Sequence, residues 1–85
     1  MARAFKAKYI IVDNEYIGYA VPFVFSEVNQ HADIARAVGG KVVGAGFCFI
    51  EGNRYHCYGE SVSCKVQSRG AVDEKILNLL LGVDE

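Results

Sequence analysis

Apolar and polar positions are most clearly patterned between Lys41 and Val66, where two strand-like runs flank Gly52-Asn53. A two-residue Gly-Asn connection between such runs predicts a β-hairpin. In the first run both parities are apolar or small: Val42, Gly44, Gly46, Cys48 and Ile50 on one side, Val43, Ala45, Phe47 and Phe49 on the other. That pattern predicts a central strand covered on both faces. Beyond Gly59, Val62, Cys64 and Val66 alternate with Ser61, Ser63, Lys65 and Gln67, which predicts a half-exposed strand with one wet face.

Upstream, Lys6 to Val12 reads as a first strand, Asp13-Asn14-Glu15 as a turn, and Tyr16 to Phe25 as a second strand. In the second run Ile17, Tyr19, Val21, Phe23 and Phe25 share one face opposite Gly18, Ala20 and Pro22. Pro22 has no N–H to give a ladder, so this strand belongs at a sheet edge or is interrupted there, and Gly18 marks a bulge or a close approach. From Asn29 the period becomes helical, with Asp33 in the first turn, Ile34, Ala35 and Val38 as a thin stripe, and Gly39-Gly40 as the stop. This predicts a short helix of about nine residues.

A polar break at Gln67-Ser68-Arg69-Gly70 precedes a second helix from Ala71 to Leu81. Its expected buried face carries Val72, Ile76, Leu79 and Leu80, widened by Leu77 and Leu81, with Asp73, Glu74, Lys75 and Asn78 as the polar side. So wide a face either sinks into the fold or pairs with its copy in another subunit. The elements together predict a single α+β domain over residues 1–85: a mainly antiparallel sheet of about four or five strands, a short helix and a C-terminal amphipathic helix.

The 85 residues bound the chain to one domain, and an apolar content of 52 % leaves surface to spare for a partner. Homo-oligomerisation is expected on that ground. A formal charge of −1 lacks the basic signature of nucleic-acid binders. No run approaches the roughly 20 apolar residues that span a bilayer, and the first residues show no leader pattern, so neither a membrane nor a secreted location is expected. Three cysteines, Cys48, Cys57 and Cys64, form no framework spacing and fit packed thiols in a reducing cytoplasm.

Catalytic signals are weak. His56 and Cys57 are neighbours in a strand and point to opposite faces, and no sequence feature brings His31 to Cys57. The cysteine and histidine spacings match no zinc motif, and no cofactor is expected. Gly44-Ala45-Gly46 lacks the third glycine and the strand-to-helix turn of a dinucleotide site, so these glycines predict close packing of a helix or strand. Gly59-Glu60-Ser61 lacks the second glycine of a nucleophile elbow. One group stands out: Ser61, Ser63, Lys65 and Arg69, near a helix N-terminus, as candidates to hold an anionic small molecule. The plainer reading makes them the wet face of an edge strand, with Ser68 as the helix cap. Among the five tyrosines, Tyr55 and Tyr58, with Leu77 and Leu81, are candidate interface residues.

Gly46-Phe47, Cys57-Tyr58-Gly59-Glu60-Ser61-Val62-Ser63, Ser68-Arg69, Asp73 and the upstream His31-Ala32-Asp33-Ile34-Ala35 together resemble a pattern in small uncharacterised accessory proteins of bacteriophage and prophage genomes. The likeness covers about the last two thirds of the chain, and Cys64-Lys65 departs from it where an apolar pair is expected. It implies a host-cytoplasmic protein that acts by binding, either blocking a host or defence factor or sequestering a small signal molecule. The expected function is therefore a non-enzymatic, self-associating binding protein with a host protein as partner. The alternative is a binder of an anionic small molecule, a nucleotide among them.

Overall fold

The structure, a computed structural model, describes residues 5–14 and 19–81. Strands β1 (Phe5–Asn14), β2 (Tyr19–Phe25), β3 (Lys41–Glu51) and β4 (Arg54–Tyr58) form one antiparallel sheet in the order β2-β1-β3-β4. Helix α1 (His31–Val38) follows β2; after β4 come the short pair β5 (Glu60–Ser61) and β6 (Val66–Gln67), then α2 (Ala71–Leu81). The expected α+β architecture is present. Glu15, Tyr16, Ile17 and Gly18, and the side chain of Tyr19, lie outside the described residues.

The hairpin at Gly52-Asn53 forms as predicted, with φ of 62° and 65° at the two turn residues. Two successive positive φ values give a turn whose twist matches that of the flanking strands. β3 is an inner strand, and Pro22 sits in β2 at the edge of the sheet, opposite Ile11.

Period-two alternation sorts β1 into two cores. Ala7, Tyr9 and Ile11 join Cys48, Cys57 and Leu77 beneath α2, with Val24 and Ile76 packed against them. Ile10, Val12 and Ala45 pack with Phe23, Ile34 and Ala35 beneath α1. Each helix thus covers one face, and β1 is buried between them.

Helix α2 departs from the expected orientation in part: Ile76 and Leu77 face the core as expected, but the rest of the apolar face does not. Val72, Leu79, Leu80 and Leu81 remain 52, 75, 48 and 38 % exposed, while Asp73 and Leu77 are fully buried. The reason lies at the outer edge of β4, where Tyr55 and Cys57 direct N–H groups away from β3. Tyr55 N–H donates to Asn78 Oδ1 at 2.8 Å, Asn78 Nδ2 donates to the Tyr55 carbonyl at 3.2 Å, and Cys57 N–H donates to Glu74 Oε2 at 3.0 Å. Three backbone groups left unpaired under a helix would cost about 1–3 kcal/mol each. Burying one further leucine would return only about 1.5–3 kcal/mol. Satisfying the strand therefore decides which side of α2 faces inward.

Asp73 anchors the N-terminal end of α2. Its carboxylate accepts from the Tyr9 hydroxyl at 2.5 Å, from Arg69 N–H at 2.9 Å and from Arg69 Nε at 2.7 Å. Ser68 Oγ lies 2.7 Å from the Tyr9 oxygen. A phenol has one proton, so Tyr9 gives it to the carboxylate and accepts from Ser68. Burial first, then the Asp73 carboxylate, push the Tyr9 hydroxyl far above its ordinary range. Ser68 Oγ accepts from Gly70 N–H at 3.1 Å, ahead of the helix, so Asp73 rather than Ser68 closes the first turn. The carboxylate fits because Gly44 is bare: a Cβ there would lie 2.5 Å from an Asp73 oxygen. The glycine pair thus serves close packing, as expected.

Candidate functional site

A cleft of about 630 Å³ opens on the α1 side of the sheet, beside the β4–β5 corner. Its walls come from five places in the chain: Lys8 of β1, Gln30 and His31 at the start of α1, Phe47 of β3, Tyr58 and Gly59 at the end of β4, and Glu60, Val62 and Ser63 beyond it.

The hairpin register supplies the aromatic wall. Counting outward from Gly52-Asn53 pairs Phe49 with His56 and Phe47 with Tyr58. The Phe47 and Tyr58 rings stack at 5.7 Å with planes 27° apart, and Phe49 and His56 stack at 5.0 Å and 21°. His31 meets Phe47 and Phe25 edge-on at 5.8 and 5.7 Å. Tyr58 is 39 % exposed, so its outer ring surface is available to a ligand.

Behind this wall the main chain crosses close to β3. A Cβ on Gly46 would fall onto the Tyr58 carbonyl oxygen and lie 3.2 Å from Ser68 Cβ. The bare glycine also presents its carbonyl to His31 Nε2 at 2.8 Å, which fixes the imidazole at the cleft floor. His31 is 4 % exposed. Burial is the main cause that pulls its pKa below 6.5, and the nearby Lys8 ammonium adds to this, while the bond to Gly46 opposes it. Lys8 Nζ donates to the Asn29 carbonyl at 2.7 Å and keeps further N–H donors for other partners.

The four residues expected to hold an anion do not share a strand face. The chain turns at residues 62–65 between the two-residue strands β5 and β6. Ser61 is buried, and its Oγ accepts from Cys64 N–H at 3.0 Å. Lys65 takes a left-handed φ of 58° and its N–H donates to the Val62 carbonyl at 3.3 Å. Ser63 leans the other way and accepts from Ala32 N–H at 3.1 Å, standing in for the side-chain cap that Gln30 does not provide. Arg69 is committed to Asp73 on the opposite side of the sheet. Serine oxygens that bond to nearby backbone favour a turn over a strand, which is why the alternation misleads. Of the four, only Ser63 lines this cleft; Ser61 and Lys65 border a smaller one of about 350 Å³.

The candidate interface residues also separate. Leu77 is fully buried in the core and unavailable to a partner. Tyr55 is half-buried under α2, whereas Tyr58 and Leu81 reach the surface. Lys8, Gln30, His31, Phe47, Glu60 and Val62 were missed as cleft residues. The hairpin count alone places Phe47 beside Tyr58, and Lys8 is the cation that directly precedes the run Tyr9-Ile10-Ile11-Val12.

Cys48 and Cys57 face each other across β3 and β4 and are both buried and free. Burial pushes their thiols up to about 11 and about 12. His56 lies on the other face, stacked on Phe49. Among the described residues, no group of three or more His, Cys, Asp or Glu side chains is placed to hold a metal ion, and no helix is long and apolar enough to cross a membrane. The chain matches no known protein family, no curated protein and no solved structure.

Proposed function

We propose that this chain is a non-enzymatic binding protein that holds an anionic small molecule with a planar ring, nucleotides included, in the cleft beside Tyr58. The observation that carries the reading is the stacked pair Phe47 and Tyr58 lining one cavity together with Lys8 and Ser63. Its volume lies in the range of about 300–1,000 Å³ usual for small-ligand sites. A flat apolar wall rewards a ring, and Lys8 rewards negative charge. Binding rather than catalysis is favoured by thiols that burial keeps protonated and by the separation of Cys57 from His56 onto opposite faces.

A thermal-shift panel of nucleoside monophosphates and aromatic carboxylates tests this. A ligand at a hundred times its dissociation constant adds about 2.7 kcal/mol of stability, so a true ligand raises the unfolding midpoint by about 10–20 °C. Tyr58→Ala abolishes the shift while leaving the unliganded midpoint nearly in place. A panel without any stabilising compound counts against the reading.

A second reading, the phage-type accessory protein that associates with itself and then engages a host factor, is favoured by the outer row of α2. Val72, Leu79, Leu80 and Leu81 present apolar surface there. On this reading the chain elutes as a dimer or larger species by light scattering at micromolar concentration, and Leu79→Glu reduces it to a monomer without loss of stability. A monomeric parent protein removes the self-association.

A further inference from the structure

The cleft contains one buried polar atom whose chemistry is set by the fold. His31 Nε2 faces the Gly46 carbonyl at 2.8 Å, and a carbonyl can only accept, so the ring proton sits on Nε2. Nδ1 is then a bare lone pair. Among the described residues no side chain bonds to it, yet no fully buried side-chain nitrogen or oxygen is left without a partner. Nδ1 is therefore open, and the space that His31 borders is the cleft.

Resting on the cleft reading above, we infer that His31 is the specificity-determining residue: its Nδ1 accepts a hydrogen bond from an N–H donor on the edge of the bound ring. The ligand class narrows to planar nitrogen heterocycles that carry a ring N–H or an amino group and, at some remove, an anion. Rings bordered only by acceptors, or with the donor nitrogen methylated, are excluded. The rest of the wall agrees with this polarity. Glu60 and Gln30 offer further acceptors on the same rim, and Lys8, Ser63 and Tyr58 offer donors for the anionic end. His31 is otherwise buried, so once a ring covers the cleft a lost bond at Nδ1 is not replaced by bulk water.

The test uses pairs of probes that differ only in the donor: indole-3-acetate against its N-methyl derivative, and adenosine monophosphate against its N6,N6-dimethyl derivative. Each is titrated into the intact chain and followed by amide and imidazole NMR shifts. The expected result is a parent compound that perturbs Phe47, Tyr58 and Gly59 and moves the His31 Nδ1 resonance, with the methylated partner at least about tenfold weaker. Acidification supplies an independent arm. Burial and Lys8 hold the His31 pKa below 6.5, so binding is complete above that value and falls as pH drops through the lowered one. Phe25 from β2 and Phe47 from β3 meet the ring edge-on and the Lys8 ammonium from β1 lies near it, while Tyr58 from β4 and Glu60 and Ser63 beyond it line the same cleft. His56→Gln, which removes the other imidazole, leaves the acid limb in place, and His31→Phe erases discrimination within each pair. Equal affinity for parent and methylated probes overturns the inference while the cleft reading stands. Absence of any shift at Phe47, Tyr58 and Gly59 overturns both. Should His31→Phe not fold, the paired probes on the unmodified chain decide alone.

Discussion

Asp73→Ala is expected to lower the unfolding free energy by about 2–4 kcal/mol, the sum of one buried hydroxyl deprived of its acceptor and two lost bonds from Arg69. Tyr9 is fully buried, so its proton has no water to turn to and must compete for Ser68 Oγ, which already receives Gly70 N–H. Arg69 is about one-third exposed on its side chain and regains hydration, so its part of the loss is the smaller. For a domain whose total stability is on the order of 5 kcal/mol, the variant retains about 1–3 kcal/mol. Urea unfolding of Asp73→Ala, Tyr9→Phe and the double variant checks the origin of the effect. The double variant should lose clearly less than the two single losses added together, because with the Tyr9 hydroxyl also gone no buried phenol is left without its acceptor. A loss under about 1 kcal/mol for Asp73→Ala would mean that Leu77, Ile76 and the Asn78 and Glu74 bonds to β4 hold the helix without it.

Gly46→Ala is expected to cost about 1–3 kcal/mol, the range for forcing extra volume into a packed site. The added methyl meets the Tyr58 carbonyl, which is backbone and cannot swing aside as a side chain would. Relief requires β3 and the Tyr58–Gly59 corner to separate, which moves Phe47, Tyr58 and the His31 carbonyl partner together. In a domain of this size each kcal/mol lowers the midpoint by about 4–8 °C, so a drop on the order of 10 °C accompanies loss of ligand-induced stabilisation. An unchanged midpoint would show that the corner yields freely and that Gly46 is not a keystone of the cleft.

Much of the sheet could be read from the chain because each strand obeys a local rule. Gly52-Asn53 fixes the hairpin register, Pro22 sends β2 to the edge, and apolar residues on both parities place β3 inside. What escaped depends on partners far away in sequence. Nothing near Asn78 or Glu74 announces that Tyr55 and Cys57, on another element, have N–H groups to satisfy, so a hydrophobic stripe places Ile76 and Leu77 correctly but misplaces Val72, Leu79, Leu80 and Leu81. The region from Ser61 to Gln67 fails for the opposite reason: its alternation is real, but local serine-to-backbone bonds outcompete pairing with a sheet. The site residues follow the same division. The stacked pair Phe47 and Tyr58 is legible by counting from the hairpin, whereas Lys8 joins it through the β1–β3 register, opposite Phe47, and His31 only once α1 folds back over the sheet.

The helix that shields the outer edge of β4 has a bearing on how this chain behaves in concentrated solution. Asn78 and Glu74 occupy hydrogen-bonding positions that a neighbouring strand would otherwise take. Exposed strand edges invite edge-to-edge polymerisation, and proteins suppress it by covering them. Here the cover is a single turn-and-a-half of α2, so detachment of that helix would expose Tyr55-His56-Cys57-Tyr58 as a template for intermolecular β-pairing at the same moment that Leu77 becomes a sticky surface. Colloidal stability and helix docking are therefore one property in this protein.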